Sequence, residues 1–125
     1  MVATRDPEEP TTVKIERDEW SDPLIALQVE SFIDYVNEAN RSRLESIEDV
    51  EVLAEYLCEW SRNLLNRMFG RTTHDEVVQV QSVFEFAADA VDRWALNFPQ
   101  SNTDRKKTDA FSKHIRERTG VRFVR

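Results

Sequence analysis

Two glycines, one cysteine, two histidines and four prolines are all that this 125-residue chain holds of the residues that punctuate, staple or ligate. Each scarcity excludes something. A phosphate cradle needs a glycine-rich loop so that backbone N–H groups can reach the anion, and Gly70 and Gly120 stand far apart, neither in such a loop. Cys58, alone, cannot close an intramolecular disulfide, which suits a reducing compartment. Within the apolar run AEYLCEW it reads as a buried structural thiol. One cysteine and two distant histidines, His74 and His114, cannot supply four zinc ligands without carboxylates. No GxSxG or HExxH spacing gives either histidine a catalytic partner. No apolar run approaches the ~20 residues of a membrane span, and MVATRDPEEP lacks the apolar region of a signal peptide. These absences set the expectation of a soluble, cytoplasmic, non-enzymatic chain with no cofactor, no metal and no membrane contact.

The same scarcities favour helices. All four prolines sit at Pro7, Pro10, Pro23 and Pro99, and between Leu24 and Phe98 the one glycine is Gly70. So few breakers argue for long helices rather than many short strands. Residues 1–20 are polar, acidic and proline-bearing, and read as a flexible tail. Residues 21–125 read as one helical-bundle domain. From a cap at Ser21, the positions Ile25, Val29, Phe32, Val36 and Ala39 repeat at intervals of 4, 3, 4 and 3. Ser46 opens a second helix, with Asp49 in its acidic first turn and a stripe of Val50, Leu53, Leu57, Trp60, Leu64 and Met68. Gly70 is its natural stop. Thr73 and Glu76 have capping-box spacing, and Val77, Val80, Phe84, Ala87, Val91, Trp94 and Phe98 then form an unbroken heptad seam. A fourth, shorter helix is expected from about Thr103 to Arg118, with Ala110, Phe111 and Ile115 facing inward and Gly120 ending it. VRFVR beyond reads as an extended segment or short strand. The expected fold is an all-α bundle of three long helices plus a shorter C-terminal one.

Two clusters invite chemistry and have plainer explanations. Glu48, Glu51, Glu55 and Glu59 on the second helix, and Glu85, Asp89 and Asp92 on the third, could face a divalent ion. Neither helix carries the Glu-x-x-His of a di-iron bundle, and Arg62 and Arg93 are spaced to pair locally with Glu59 and Asp89. The aromatic residues Tyr56, Trp60, Phe84, Phe86 and Trp94 could line a ligand cavity, but at helical spacing they read as core.

Charge is unevenly placed. Residues 21–103 carry six Lys/Arg and fifteen Asp/Glu, whereas residues 104–125 carry eight and three, in a chain of net charge −7. The basic end therefore holds the candidate contacts for nucleic acid or a partner: Arg105, Lys106, Lys107, Lys113, Arg116, Arg122 and Arg125. Three accounts compete for them. They brace the acidic faces of the second and third helices, they bind phosphates regardless of sequence, or they meet an acidic protein surface. The third helix also carries Val78, Val83 and Phe86 outside its seam, so it is either central in the bundle or shared with a second copy. Sequence alone thus points to a small interaction module, an accessory or regulatory subunit of a larger and possibly nucleoprotein assembly. The alternative is a dimeric DNA-binding transcriptional regulator that uses its C-terminal helix.

Overall fold

The computed structural model describes the backbone of residues 19–123 and the side chains of residues 19–117. The expected tail lies outside the described residues as far as position 18. Its last residue, Trp20, is instead buried in the core. Four helices follow: α1 (Pro23–Arg41), α2 (Ile47–Met68), α3 (His74–Leu96) and α4 (Asn102–Phe123), with no strand among the described residues. The all-α bundle expected from the sequence is the fold observed.

Local chemistry sets the helix ends. Ser46 caps α2, its Oγ accepting from the Asp49 N–H at 3.3 Å. Thr73 and Glu76 form a full capping box on α3. Gly70 lies at φ +77°, where a side chain would be strained, and lets the chain turn out of α2. Two caps differ from expectation. Asp22, not Ser21, caps α1 by accepting from the Leu24 N–H at 3.0 Å. Ser101, not Thr103, caps α4, exchanging bonds with Asp104 at 3.0 and 3.1 Å. The end of α4 differs too. Helical backbone passes Gly120 and includes Val121–Phe123, so no extended segment begins there. Glycine inside a helix costs only about 1 kcal/mol relative to alanine, a weak stop signal on its own.

Pairings along the chain give the topology. Phe32 meets Trp60 and Tyr35 meets Tyr56, so α1 and α2 run antiparallel. Ser21 bonds Glu76 and Asn40 bonds Trp94, so α1 and α3 run parallel. Glu51 pairs with Lys107 and Cys58 with Phe111, so α2 and α4 are parallel as well. The two inner helices, α2 and α3, pack together, with α1 in the groove on one side and α4 in the groove on the other. Among the described residues the backbones of α1 and α4 do not approach each other closely.

This arrangement accounts for the excess apolar surface of α3. Glu76, Val83, Ala90 and Trp94 share one side of the helix, and Glu76 and Trp94 bond α1. Ala88, Asp92 and Ala95 share another side, where Asp92 bonds α4. Helix α3 is central.

Helix α4 docks differently from the rest. Its inner face is Thr108, Phe111, Ser112 and Ile115, while Ala110, expected inside, is exposed. Opposite lie the small buried side chains of Ala54, Cys58 and Ser61 on α2. Interaxial distance falls with the size of the side chains at the contact, and the Cys58 thiol donates directly to the Phe111 carbonyl oxygen at 3.5 Å. The buried Thr108 and Ser112 hydroxyls are satisfied by backbone carbonyls of their own helix.

Candidate interaction surfaces

The basic segment divides once folded. Lys107 places Nζ 3.6 Å from Glu51 Oε1 of α2. Arg116 bonds Asp89 and, at 2.9 Å, Asp92, with Glu85 at 3.6 Å from Nε. Burial alone would lower the Arg116 pKa, but the bonds to Asp89 and Asp92 outweigh it and raise it above its ordinary value. Of the carboxylates weighed as a metal set, Glu51, Glu85, Asp89 and Asp92 are therefore ion-pair partners of α4. Arg93, expected to pair with Asp89, donates to Asn40 Oδ1 instead, whereas Arg62 does pair with Glu59 at 2.9 Å.

Arg105, Lys106 and Lys113 face solvent. Asp109 stands four residues from Arg105 and four from Lys113, and Glu117 four beyond that, so the outward face of α4 alternates in sign. Arg122 is helical in backbone, with its side chain outside the described set. Arg125 lies outside the described residues altogether.

Beneath the first turn of α4, Glu51 meets Asp104. Desolvation and the neighbouring Asp104 carboxyl raise the Glu51 pKa, against the pull of Lys107. The bond to Glu51 and the Ser101 N–H hold Asp104 below its ordinary value. Buried Glu51 Oε2 accepts no hydrogen bond among the described residues. A proton on Glu51 turns the pair into donor and acceptor.

The candidates for self-association do not share a surface. Val83 is fully buried inside the chain and Phe86 packs half-buried against the core, leaving Val78 at 44% exposure. The central position of α3 covers Val83 within the chain, so the three do not form one exposed patch.

A second surface, missed as such in the sequence, lies between α1 and α2. Rings run from the core outward: Phe84 stacks tilted on Phe32 at 5.5 Å, Phe32 meets Trp60 edge-on at 5.4 Å, and Trp60 meets Tyr35 and Tyr56 at 5.5 and 5.6 Å. Phe84 and Trp94 fill the core as expected, but Tyr56 is 50% exposed and Trp60 and Tyr35 are half-buried. Desolvation, then the adjacent Tyr56, raises the Tyr35 pKa. Together with Gln28, Asn63 and Arg67, Tyr56 and Trp60 line a groove of about 390 Å³. On α2 the lining residues Tyr56, Glu59 and Asn63 continue a stripe that begins at Asp49 and Val52, at intervals of 3, 4, 3 and 4. That stripe was legible in the sequence. It lies off the apolar seam and carries a tyrosine and an exposed valine among charges.

Among the described residues no three His, Cys, Asp or Glu side chains are disposed to hold a metal ion, and no helix is long and apolar enough to cross a membrane. Compared with protein-family models, curated proteins and solved structures, the chain matches none.

Proposed function

We propose that the chain is a non-enzymatic helical interaction module, an accessory or regulatory subunit that docks a protein partner along the α1–α2 groove. One observation carries this reading: Tyr35, Tyr56 and Trp60 form a connected ring cluster, rooted in the core yet open to solvent. Aromatic side chains are enriched where proteins meet, because a rigid ring supplies large contact area and tyrosine and tryptophan keep a polar handle. Rooting through Phe32 holds the rings in place before binding, which lowers the ordering cost of association.

A nucleic-acid reading retains Arg105, Lys106 and Lys113, the exposed cations of α4. It loses Lys107 and Arg116 to internal pairs, and Asp109 and Glu117 interrupt what remains.

Co-purification of the tagged chain from its native host, with and without nuclease, separates the two. Docking in the groove predicts a partner retained after nuclease, lost with Tyr56→Ala and kept when Arg105, Lys106 and Lys113 become alanine. The opposite pattern, with loss on nuclease treatment and on the triple change, would establish the α4 reading instead.

A further inference from the structure

Pro7 and Pro10 stand three positions apart in the sequence, with Glu8 and Glu9 between them. In a polyproline II helix, at three residues per turn, both rings fall on one edge about 9 Å apart, and every carbonyl is left without an internal hydrogen bond. The lining of the α1–α2 groove matches both properties. Tyr56 and Trp60 meet at 71°, which makes the aromatic wall notched rather than flat. Beside the rings stand side-chain donors: the Tyr56 hydroxyl, the Trp60 indole N–H and the amides of Gln28 and Asn63. Among the described residues none of these groups is hydrogen-bonded. A helix brings its inner carbonyls already bonded along its own axis. Rings flanked by unengaged donors therefore suit an extended, proline-bearing chain better.

Position selects the occupant. Asp22, the cap of α1, lies 4.0 Å from Arg71 just past α2, so the chain enters α1 beside the end of the groove that holds Arg67. Trp60 packs on Phe32, roughly 14 Å along α1 from Pro23 at ~1.5 Å per residue. From Pro10 to Glu19 the chain can span up to about 30 Å, enough to turn back and bring both prolines onto the rings. Charge does not oppose that path. Glu59 is engaged by Arg62, and Arg67 makes no ion pair among the described residues. We infer that residues 7–10 of the same chain occupy the groove as an extended segment and cover its rings until a partner displaces them. This rests on the reading of the groove as a docking site and adds the regulation of that site.

The test uses the full chain, its Pro7→Ala/Pro10→Ala double variant and a labelled peptide of residues 4–13. Anisotropy gives Kd, and amide and indole N–H shifts give location, with Trp60 assigned through Trp60→Phe. A short flexible tether holds its segment at roughly millimolar effective concentration. The peptide should therefore bind the double variant in the groove, shifting Gln28, Trp60 and Asn63. It should bind the wild-type chain at least about tenfold more weakly, because the tethered copy competes. The Trp60 indole signal of the wild-type chain alone should lie close to that of the peptide-saturated variant at every protein concentration. Equal affinity for the two chains would overturn the inference, since nothing tethered would be competing. Shifts on another face, or no binding to the double variant, would overturn it as well. A wild-type Trp60 shift that grows with protein concentration would assign the segment to a second copy and likewise overturn it. The docking reading stands or falls separately, on loss of the partner with Tyr56→Ala.

Discussion

Glu76 joins three parts of the fold through one carboxylate. Oε1 accepts the Thr73 N–H at 3.0 Å, and Oε2 accepts the Ser21 N–H at 2.8 Å and its hydroxyl at 3.2 Å, all with the residue only 4% exposed. In glutamine an N–H donor must replace one of those acceptors and face another donor. Glu76→Gln should therefore cost about 1–3 kcal/mol, read from urea unfolding, and a change below about 0.5 kcal/mol would mean that water satisfies the site. The capping-box role of Glu76 was legible from Thr73-x-x-Glu76. Its second role was not, because the bond to Ser21 crosses 55 positions and no local pattern encodes it. Trp20 and Ala110 escaped for the same reason: burial of the first and exposure of the second depend on neighbours distant in sequence.

Glu51 gives the residue scale its pH dependence. Its folded pKa is raised above its ordinary 4.5, with desolvation the largest cause. A raised pKa means its favourable contribution is complete below the unfolded value and is lost as pH rises through the folded one. Asp104, depressed below its ordinary 3.8, works in the opposite sense and loses its contribution as pH falls. The pair is best satisfied with one proton, between the two folded values. Glu51→Gln keeps a neutral donor beside Asp104 and removes the ionisation penalty. Relative to wild type, the variant should gain stability at pH 7 compared with pH 4.5, as read from urea midpoints. A difference that does not vary with pH would rule out the shared proton.

At the scale of elements, the 3.5-residue seams of α1, α2 and α3 were readable because burial on a single chain of heptads leaves a periodic trace. Helix α4 left little trace, since its docking face is Thr108, Ser112 and one fully buried large apolar residue, Ile115. Serine and threonine at helical spacing look like surface. The Ser101-x-x-Asp104 cap repeats Ser46-x-x-Asp49 and was there to be found. With so little apolar anchorage, α4 depends on close packing and on charge, above all on Arg116 against Asp89 and Asp92. The Arg116 side chain is 32% exposed, so screening limits what these pairs contribute. Arg116→Ala should cost about 1 kcal/mol at low salt, with the loss shrinking as salt rises. Amide exchange should quicken in α4 before α2 or α3. A salt-independent loss would assign the cost to the packing of the aliphatic stem instead.

At the scale of the molecule, α1 and α4 flank the α2–α3 pair and turn different surfaces outward. One is an aromatic groove, the other an alternating-charge helix whose Arg116 is turned toward α3. The acidic body and basic end counted in the sequence are thus partly one another's partners, which answers in part why an acidic chain ends in a basic segment. The central position of α3 consumes Val83 and most of Phe86, removing the apolar surplus that suggested a second copy. Light scattering after size exclusion should give the monomer mass of 14.7 kDa, and twice that mass at micromolar concentration would restore self-association.

The claim on which the functional account turns is that the α1–α2 groove, not the α4 face, meets the partner. A photo-crosslinking phenylalanine analogue at position 56, on the exposed edge of the ring cluster, tests it most directly, with the same analogue at position 113 on α4 as comparison. In the native host the account predicts one discrete heavier adduct from position 56, abolished by Trp60→Ala in a chain that keeps its helical signal, and none from position 113. Adducts from position 113 with none from position 56 would contradict it.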